Sequence, residues 1–249
     1  MVTTLPKIVL VHGSWCGALA WDALVPALAE RGIESVAVEL PGRGPNSASG
    51  WRVSLQDYGD AINAATDGEP AILVGHSAGG FAITQAACSA ATAPTALVYV
   101  AAFLPVQGER LARLARQDAD SQLTTQINVD PLRGVLRLKN DGLDEIFYHD
   151  YKGDDLEALL QRFVPEPLRP GLAKVKLTQR FHDTPKYYIQ CALDRAISPT
   201  YQEWMCSRYG IAASAVLDTG HMPTRTDPDG LAEVLKSIVE ESARPPDQT

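Results

Sequence analysis

The stretch 71–83 contains a serine between two glycines, in the pentapeptide GHSAG at 75–79, with an apolar run on each side. The first run predicts a buried strand and the second a helix, so the serine falls on the turn between them. A serine on such a turn exposes its hydroxyl at the end of the strand, an arrangement typical of a nucleophile. Small residues are needed there because added Cβ atoms would collide with adjacent strands. Ser77 is therefore the candidate nucleophile.

Two other interpretations of this turn stay open. A glycine-rich strand-to-helix turn can carry a serine that has no chemical role. A nucleotide-binding turn also places glycines here, but this one lacks both the G-x-G-x-x-G spacing and the Lys-Ser/Thr pair of a phosphate loop. The strand before Ser77 and the helix after it favour the nucleophile.

A serine hydroxyl needs a general base near neutral pH, and the chain has five histidines. His221 follows the last predicted strand, and the order serine, acid, histidine is the one found with this type of turn. His12 and His76 lie beside strand ends. His149 and His182 lie in a helical segment, where a lone histidine is usually a surface or packing residue, although His182 stays open as a substrate contact. His221 is thus the candidate base.

The acid that orients the histidine should follow a strand between Ser77 and His221. Asp194 ends the apolar run 187–193 and fits that position. Asp218 is the runner-up, but a carboxylate three residues before the histidine is more typical of a turn cap. We predict that Asp194 completes a Ser77-His221-Asp194 triad.

An acyl-transfer site also needs two N–H donors for the oxyanion of the tetrahedral intermediate. The amide of Ala78, directly after the nucleophile, is one candidate. The other is the amide of Ser14, in the turn that follows the first strand. His12, at the start of the same turn, is interpreted as a structural residue that bonds loop backbone.

These residues require a sheet that brings the ends of its strands to one edge. Strand patterns occur at 7–12, 35–40, 71–75 and 95–101, and helix patterns alternate with them at 20–31, 54–65 and 79–91. Ser54 is the expected N-cap of the second helix. Strands return at 186–192 and 213–217, before a last helix at 229–242. The alternation predicts an α/β fold with a mostly parallel sheet and helices on both faces.

The alternation is interrupted at 104–183, where charged helix-forming stretches at 109–117 and 154–163 replace the strand signals. We predict a helical cap inserted at 104–183 into a core formed by 1–103 and 184–249. The end of the chain, 243–249, is expected to be frayed.

Composition excludes several classes of protein. A net charge of −8 disfavours nucleic acid as a partner. No apolar stretch reaches the ~18 residues of a membrane helix, and no signal-peptide pattern is seen. The four cysteines lie far apart without C-x-x-C spacing, as expected for reduced thiols. We therefore expect a cytoplasmic protein that needs no metal or organic cofactor and acts on a small molecule; homodimer formation stays open.

Four motifs resemble the α/β-hydrolase superfamily over about residues 7–240: LVHGSWCGALAWDALVPALAERG, VGHSAGG, YYIQCALDRAISPTYQEWM and DTGHMPTRTDP. Within it the chain resembles the branch of plant methylesterases and hydroxynitrile lyases, with bacterial esterase relatives. The best-known lyases of that branch carry a threonine where this chain has Gly13, and a lysine where it has Met222. The resemblance therefore implies an esterase.

The expected activity is hydrolysis of a small to medium carboxylic ester, with methyl esters and lactones among the candidates, through an acyl-enzyme. One alternative is a non-hydrolytic enzyme of this fold, such as a hydroxynitrile lyase or a natural-product cyclase. Another is a ligand-binding module without catalysis. An apolar substrate pocket is expected, and its candidate residues are Trp15, Phe103, Leu104, Phe147 and Met222.

Overall fold

The structure is a computed structural model that describes residues 5–43, 50–139 and 141–243. The predicted frayed end, apart from Ala243, lies outside the described residues.

Six parallel strands form the central sheet. Their bounds are Ile8–Val11 (β1), Ser35–Val38 (β2), Ile72–His76 (β3), Ala96–Val100 (β4), Lys186–Cys191 (β8) and Ala215–Leu217 (β9). Their spatial order is β2-β1-β3-β4-β8-β9, and every neighbouring pair is parallel. The predicted parallel sheet is confirmed, and its strand bounds differ from the sequence patterns by one or two residues.

Both faces of this sheet are buried. Alternate residues of β1 pack into core clusters on opposite faces. Ile8 and Leu10 belong to one cluster, and Val9 and Val11 belong to the other. This two-sided burial explains why the strands are continuously apolar. Helices contribute apolar side chains to both clusters, so helices on both faces are also confirmed.

The helices of the core connect the strands in the expected way. Their bounds are Leu24–Glu30 (α1), Leu55–Ala64 (α2), Gly79–Ser89 (α3), Pro199–Ser207 (α9), Pro223–Thr226 (α10) and Pro228–Ser242 (α11). Helices α1 and α11 supply one cluster, whereas α2, α3 and α9 supply the other. Ser54 caps α2 as predicted: its side chain accepts from the Asp57 amide, and Asp57 accepts in turn from the Ser54 amide.

The described residues of the segment 104–183, called the insert below, form five short α-helices and a 3₁₀ helix at Thr124–Gln126. The bounds of the α-helices are Leu111–Ala115 (α4), Leu143–Phe147 (α5), Leu156–Leu160 (α6), Leu168–Leu172 (α7) and Gln179–Asp183 (α8). The insert also contains a small antiparallel sheet of Ile127–Asp130 (β5), Val135–Leu138 (β6) and Glu166–Pro167 (β7). The insert therefore carries the expected helices together with a small sheet that the sequence patterns did not indicate. Strands β5 and β6 have four residues each and are partly exposed, and the buried β7 has only two, so none shows the apolar run that marks a buried strand.

Among the described residues, no helix combines the length and the apolar character needed to cross a membrane.

Candidate active site

Ser77 lies on the sharp turn between β3 and α3. Its φ is +54°, a left-handed conformation that a non-glycine residue adopts only when its surroundings hold it there. The Ser77 amide donates to the carbonyl of Val100 over 3.2 Å, and the Ser77 carbonyl accepts from the amide of Phe103 over 3.0 Å. Backbone contacts with the segment after β4 therefore fix the conformation that exposes the hydroxyl.

The glycines around this turn are required by close backbone contacts. A Cβ atom on Gly75 would lie 2.7 Å from the carbonyl oxygen of Gly79, and one on Gly79 would lie 2.6 Å from that of Val11. A Cβ atom on Gly13, in the turn after β1, would lie 2.7 Å from Cβ of Ser77. The predicted need for small residues has this steric cause.

The structure brings the three predicted triad side chains together. Nε2 of His221 lies 3.0 Å from Oγ of Ser77, and Nδ1 of His221 lies 2.8 Å from Oδ2 of Asp194. All three residues are buried, with exposed fractions of 8% for Ser77, 1% for His221 and 4% for Asp194. These distances suit a proton relay from the hydroxyl to the imidazole.

The carboxylate of Asp194 is held by backbone and side-chain donors. Oδ1 accepts from the amides of Ala196 and Ile197 over 2.8 and 2.9 Å. Oδ2 accepts from Nε2 of Gln202 over 3.0 Å. The carboxylate therefore has a fixed orientation toward His221. Gln202 was missed by the sequence analysis, because a glutamine on the next helix carries no local signal of this contact.

The alternative residues lie elsewhere or do other work. Asp218 is exposed, and so is His182 on α8. The ring of His12 is buried: Nδ1 lies 2.9 Å from the carbonyl of Gly13, and Nε2 accepts from the amide of Leu40. His12 thus bonds loop backbone, as expected.

His76 supports the His221 backbone. Nε2 of His76 lies 2.7 Å from the carbonyl oxygen of His221, and the two ring centroids are 4.7 Å apart. Burial, together with the neighbouring His221, lowers the pKa of His76 to about 3. Burial, with Arg43 nearby, likewise lowers the pKa of His12 to about 3. Both rings are therefore neutral at neutral pH, and a neutral His76 can donate to the His221 carbonyl.

The two amides assigned to an oxyanion site belong to residues that line one cavity. Ser14 and Ala78 line the same small cavity beside Gly13 and Gly79. Within the described part of the chain, neither amide has a hydrogen-bond acceptor. Two free amides beside a nucleophile are the arrangement that a developing oxyanion needs.

The insert contacts the three loops that carry these residues. A carboxylate oxygen of Asp150 accepts from the amide of Gly220 over 2.7 Å, directly before His221. Nε2 of His149 lies 3.0 Å from the carbonyl of Leu193, directly before Asp194. A carboxylate oxygen of Glu166 accepts from the amide of Trp15, directly after Ser14. Sequence reasoning missed all three contacts, and it treated His149 as a surface or packing residue.

Of the predicted pocket residues, Trp15, Phe147 and Met222 belong to one buried cluster. The Phe147 ring centroid is 5.7 Å from that of His221. Met222 and Trp15 line two separate cavities. Phe103 and Leu104 instead pack in the core cluster that contains α2 and α3.

The cavity beside Met222, called the Met222 cavity, has a volume of about 380 Å³. Apolar side chains form much of its wall: Leu19, Ala20, Tyr148, Leu159, Phe163, Val164 and Met222. Charged groups also border it: Arg43 pairs with Glu166, Glu39 accepts from the amide of Ala18, and three further groups pair with one another. Asp22 contacts both Arg162 and Arg225, at 2.6 and 3.4 Å. The cavity therefore suits a ligand with a neutral, apolar body.

Similar proteins include enzymes of more than one named activity. Putative methylesterase 14, chloroplastic, of Arabidopsis thaliana is 29% identical over 94% of this chain and 72% of its own. Norfluorocurarine synthase 2 of a Strychnos species is 26% identical over 96% of this chain and 97% of its own. A crystal structure of a pyrethroid hydrolase from Sphingobium faniae JZ-2 shares the fold, with a TM-score of 0.85 at 23% identity, covering 95% of this chain and 98% of that one.

The sequence model of the alpha/beta hydrolase family matches residues 8–234, from β1 to within α11. Because this match spans both the core and the insert, the chain belongs to the alpha/beta hydrolase family, and within it resembles the methylesterases and pyrethroid hydrolases.

Proposed function

We propose that this chain hydrolyses carboxylic esters by covalent catalysis at Ser77. The observation that carries the proposal is the continuous hydrogen-bond path from Oγ of Ser77 through His221 to Asp194, with distances of 3.0 and 2.8 Å. A buried serine with a base in reach and a base oriented by a carboxylate has the geometry of nucleophilic catalysis. Relatives named as methylesterase and pyrethroid hydrolase support the choice of an ester as substrate.

The proposed reaction has two steps. Nε2 of His221 takes the proton of Ser77 as Oγ attacks the ester carbonyl, and the oxyanion is stabilised by the amides of Ser14 and Ala78. The imidazolium, stabilised by Asp194, then protonates the departing alcohol and leaves an acyl-enzyme. A water molecule that His221 deprotonates attacks the acyl group, and proton return to Ser77 releases the acid.

The Met222 cavity is the proposed site for the apolar body of the substrate. Its wall includes Met222, which follows His221, and Cys16, two residues after Ser14. Because these two residues are close in sequence to the base and to the proposed oxyanion donor, we favour this cavity. A volume of about 380 Å³ accommodates an aryl or branched alkyl group. The insert supplies Tyr148, Leu159 and Phe163 to this wall, and we accordingly propose that it acts as a substrate-covering cap.

Two positions disfavour cyanohydrin cleavage. The lyases that this chain resembles carry a threonine at the position of Gly13, where even a Cβ atom would lie 2.7 Å from Cβ of Ser77. They carry a lysine at the position of Met222, which is 2% exposed and has no charge to stabilise a leaving cyanide. Norfluorocurarine synthase 2 is 26% identical to this chain, so the experiment must also distinguish hydrolysis from non-hydrolytic chemistry.

The test is a panel of methyl esters, aryl esters, lactones and mandelonitrile, assayed with the wild-type protein and Ser77→Ala. We expect ester turnover by the wild type, loss of that turnover in Ser77→Ala, and an unchanged melting temperature. A fluorophosphonate should label the wild type and not the variant. Turnover of mandelonitrile alone would indicate a lyase, and a folded protein that neither turns over nor reacts with the probe would indicate a ligand-binding module.

A further inference from the structure

Every polar group of Trp15 is bonded to the insert. The Trp15 carbonyl accepts from the amide of Val164 over 2.8 Å. The Trp15 amide donates to Oε2 of Glu166 over 3.1 Å, and the indole Nε1 donates to the carbonyl of Leu136 over 3.3 Å. Residues 136, 164 and 166 all belong to the insert, so the hydrogen-bond partners of this residue in the core loop after β1 lie outside the core.

Trp15 adopts a backbone conformation that needs such support. Its φ is +60°, in the left-handed region that a bulky residue rarely occupies. Strained residues of this type persist where surrounding contacts determine their conformation. The hydrogen bonds to Val164 and Glu166 act directly on the two peptide groups that flank the Cα atom of Trp15.

The amide of Ser14 lies between this held residue and a glycine. Gly13 must lack a side chain because of its contact with Ser77, and it therefore imposes little restriction on the direction of the following peptide group. The Gly13 carbonyl belongs to the same peptide group as the Ser14 amide, and Nδ1 of His12 holds it at 2.9 Å. Trp15 holds Ser14 from its other side, so the hydrogen bonds of His12 and Trp15 together set where the Ser14 amide points.

Glu166 is itself rigidly held. It is 5% exposed, its Oε2 is paired with the guanidinium of Arg43, and its Oε1 accepts from the hydroxyl of Tyr58 over 3.2 Å. The Arg43 side chain is 4% exposed, and its Nη2 lies 3.3 Å from the Tyr58 hydroxyl. A buried carboxylate with these partners has one orientation, in which Oε2 faces the Trp15 amide.

We propose that Glu166 is a positioning residue for the oxyanion site: it fixes the Trp15 amide and thereby aims the preceding amide of Ser14 at the reacting carbonyl. This inference rests on the proposed function, because it assigns Ser14 as an oxyanion donor. It also means that catalytic competence depends on a contact between the insert and the core.

Two substitutions separate positioning from stability. Glu166→Asp keeps the negative charge beside Arg43 but moves the carboxylate away from the Trp15 amide. The long Arg43 side chain can follow the shortened carboxylate, whereas the backbone amide cannot. Glu166→Gln keeps an oxygen within reach of Trp15 but removes the negative charge beside a buried guanidinium. We expect Glu166→Gln to have the lower melting temperature of the two, and Glu166→Asp to have the lower activity.

Glu109 offers a matched control within the insert. Its Oε2 accepts from the amide of Val106 over 2.8 Å and its Oε1 lies 2.6 Å from Nη1 of Arg208, so it makes the same two kinds of contact. Glu109→Asp therefore shortens a carboxylate that pairs with an arginine and a backbone amide, but at a loop that carries neither the triad residues nor the proposed oxyanion donors.

The readouts are kcat and KM for p-nitrophenyl acetate, the inhibition constant of an aryl trifluoromethyl ketone, and the melting temperature. Oγ of Ser77 adds to the ketone carbonyl, its proton passes to His221, and the new oxyanion occupies the site of the two amides. We expect Glu166→Asp to lower kcat by roughly tenfold or more and to raise the inhibition constant by a similar factor. KM should change less than kcat, and Glu109→Asp should retain wild-type kinetics.

The inference is overturned if Glu166→Asp binds the ketone as tightly as Glu109→Asp does, or if activity follows melting temperature across the three variants. Ester turnover by the wild type and its loss in Ser77→Ala are measured alongside. If that turnover is present and Glu166→Asp is unimpaired, this inference alone fails. If the wild type neither hydrolyses esters nor reacts with the ketone, the proposed function fails as well.

Discussion

The side-chain nitrogen of Gln202 lies 3.0 Å from Oδ2 of Asp194, the carboxylate oxygen that also faces His221. The same nitrogen donates to the carbonyl of Ile197 over 2.8 Å, and the Gln202 oxygen accepts from the amide of Cys191 over 3.2 Å. Gln202 therefore joins the end of β8, the loop that carries Asp194 and helix α9. It fixes both the carboxylate and the backbone from which the carboxylate projects.

Replacement of Gln202 by leucine should lower both kcat and stability. The variant leaves the Cys191 amide and the Ile197 carbonyl without this partner, at a penalty of about 1–3 kcal/mol for each unsatisfied buried group. We expect kcat for p-nitrophenyl acetate to fall by about tenfold or less, since the amides of Ala196 and Ile197 still hold Asp194. Gln190→Leu is the control. Gln190 is also buried, but its side chain bonds Pro199 and Glu203 and does not contact Asp194. Equal losses of kcat in both variants would argue against a role in orienting Asp194.

Asp194→Asn should abolish most activity, whereas Asp218→Asn should not. An amide in place of Asp194 can present N–H to the imidazole and select the wrong tautomer, and a loss of about 10⁴ in kcat is known for such changes. Asp218 is exposed and lies outside this path. Steady-state kinetics with both variants decide between them, and a crippled Asp218→Asn with an active Asp194→Asn would move the acid to the runner-up.

Gly13→Ala should impair catalysis more than folding. The new Cβ atom would lie 2.7 Å from Cβ and 3.3 Å from Oγ of Ser77, so the loop that carries Ser14 has to shift. We expect kcat to fall by roughly tenfold or more, because small displacements of oxyanion donors are costly. Gly171→Ala is the control, since a Cβ atom there would meet only a leucine methyl at 3.9 Å. Full activity of Gly13→Ala would contradict this steric account.

Stability should fall as the pH decreases from about 6.5 towards 3. Burial lowers the pKa values of His12 and His76 from 6.5 to about 3, so between these values the unfolded chain binds protons that the native state does not. The free energy of unfolding then increases with pH, by at most about 1.4 kcal/mol per pH unit for each histidine, and this contribution is complete above 6.5.

Carboxylates titrate in part of the same range, so the test is a difference between variants. The free energy of unfolding of His76→Gln, measured with urea from pH 5 to 7, should increase less steeply with pH than that of the wild type. The same experiment with His182→Gln, which changes an exposed histidine on α8, should reproduce the wild-type slope. An unaltered slope in His76→Gln would mean that His76 is not buried in its neutral form.

A substitution at the mouth of the Met222 cavity should change KM more for a large ester than for a small one. Leu19 borders it and is 65% exposed, so Leu19→Glu adds a charge there without disturbing the core. We expect KM for a bulky aryl ester to rise by about threefold to tenfold, from the loss of ~1 kcal/mol of apolar contact, and KM for p-nitrophenyl acetate to change less. Leu132→Glu, which alters a leucine that is 93% exposed on the β5–β6 turn, is the control. Equal effects on both esters would exclude this cavity as the site of the substrate body.

The proposed catalytic residues were accessible from sequence because each follows a strand of a parallel sheet. Ser77 directly follows β3, Asp194 comes shortly after β8, and His221 comes shortly after β9. Parallel strands end at one edge, so local patterns and chain order were enough to place the three residues together.

The supporting residues were not accessible in this way. Glu166 and Trp15 are 151 positions apart, and Asp150 and Gly220 are 70 positions apart. Each contact depends on how the insert lies on the core, and no periodic pattern encodes that placement. The β5–β7 sheet was missed for a related reason, since β5 and β6 lie partly at the surface and β7 has only two residues.

The bonds from residues 150, 164 and 166 to the catalytic loops restrict how this enzyme could be re-engineered. A chimera that receives the insert of a homologue would acquire a new binding cavity, but it would keep turnover only if the donor segment reproduced those three partners. Mutational libraries are better confined to wall positions such as Leu159 and Tyr148, which shape the cavity without supplying these bonds. Substitution of single wall side chains can thus change selectivity without changing the rate, whereas exchange of the whole insert changes both.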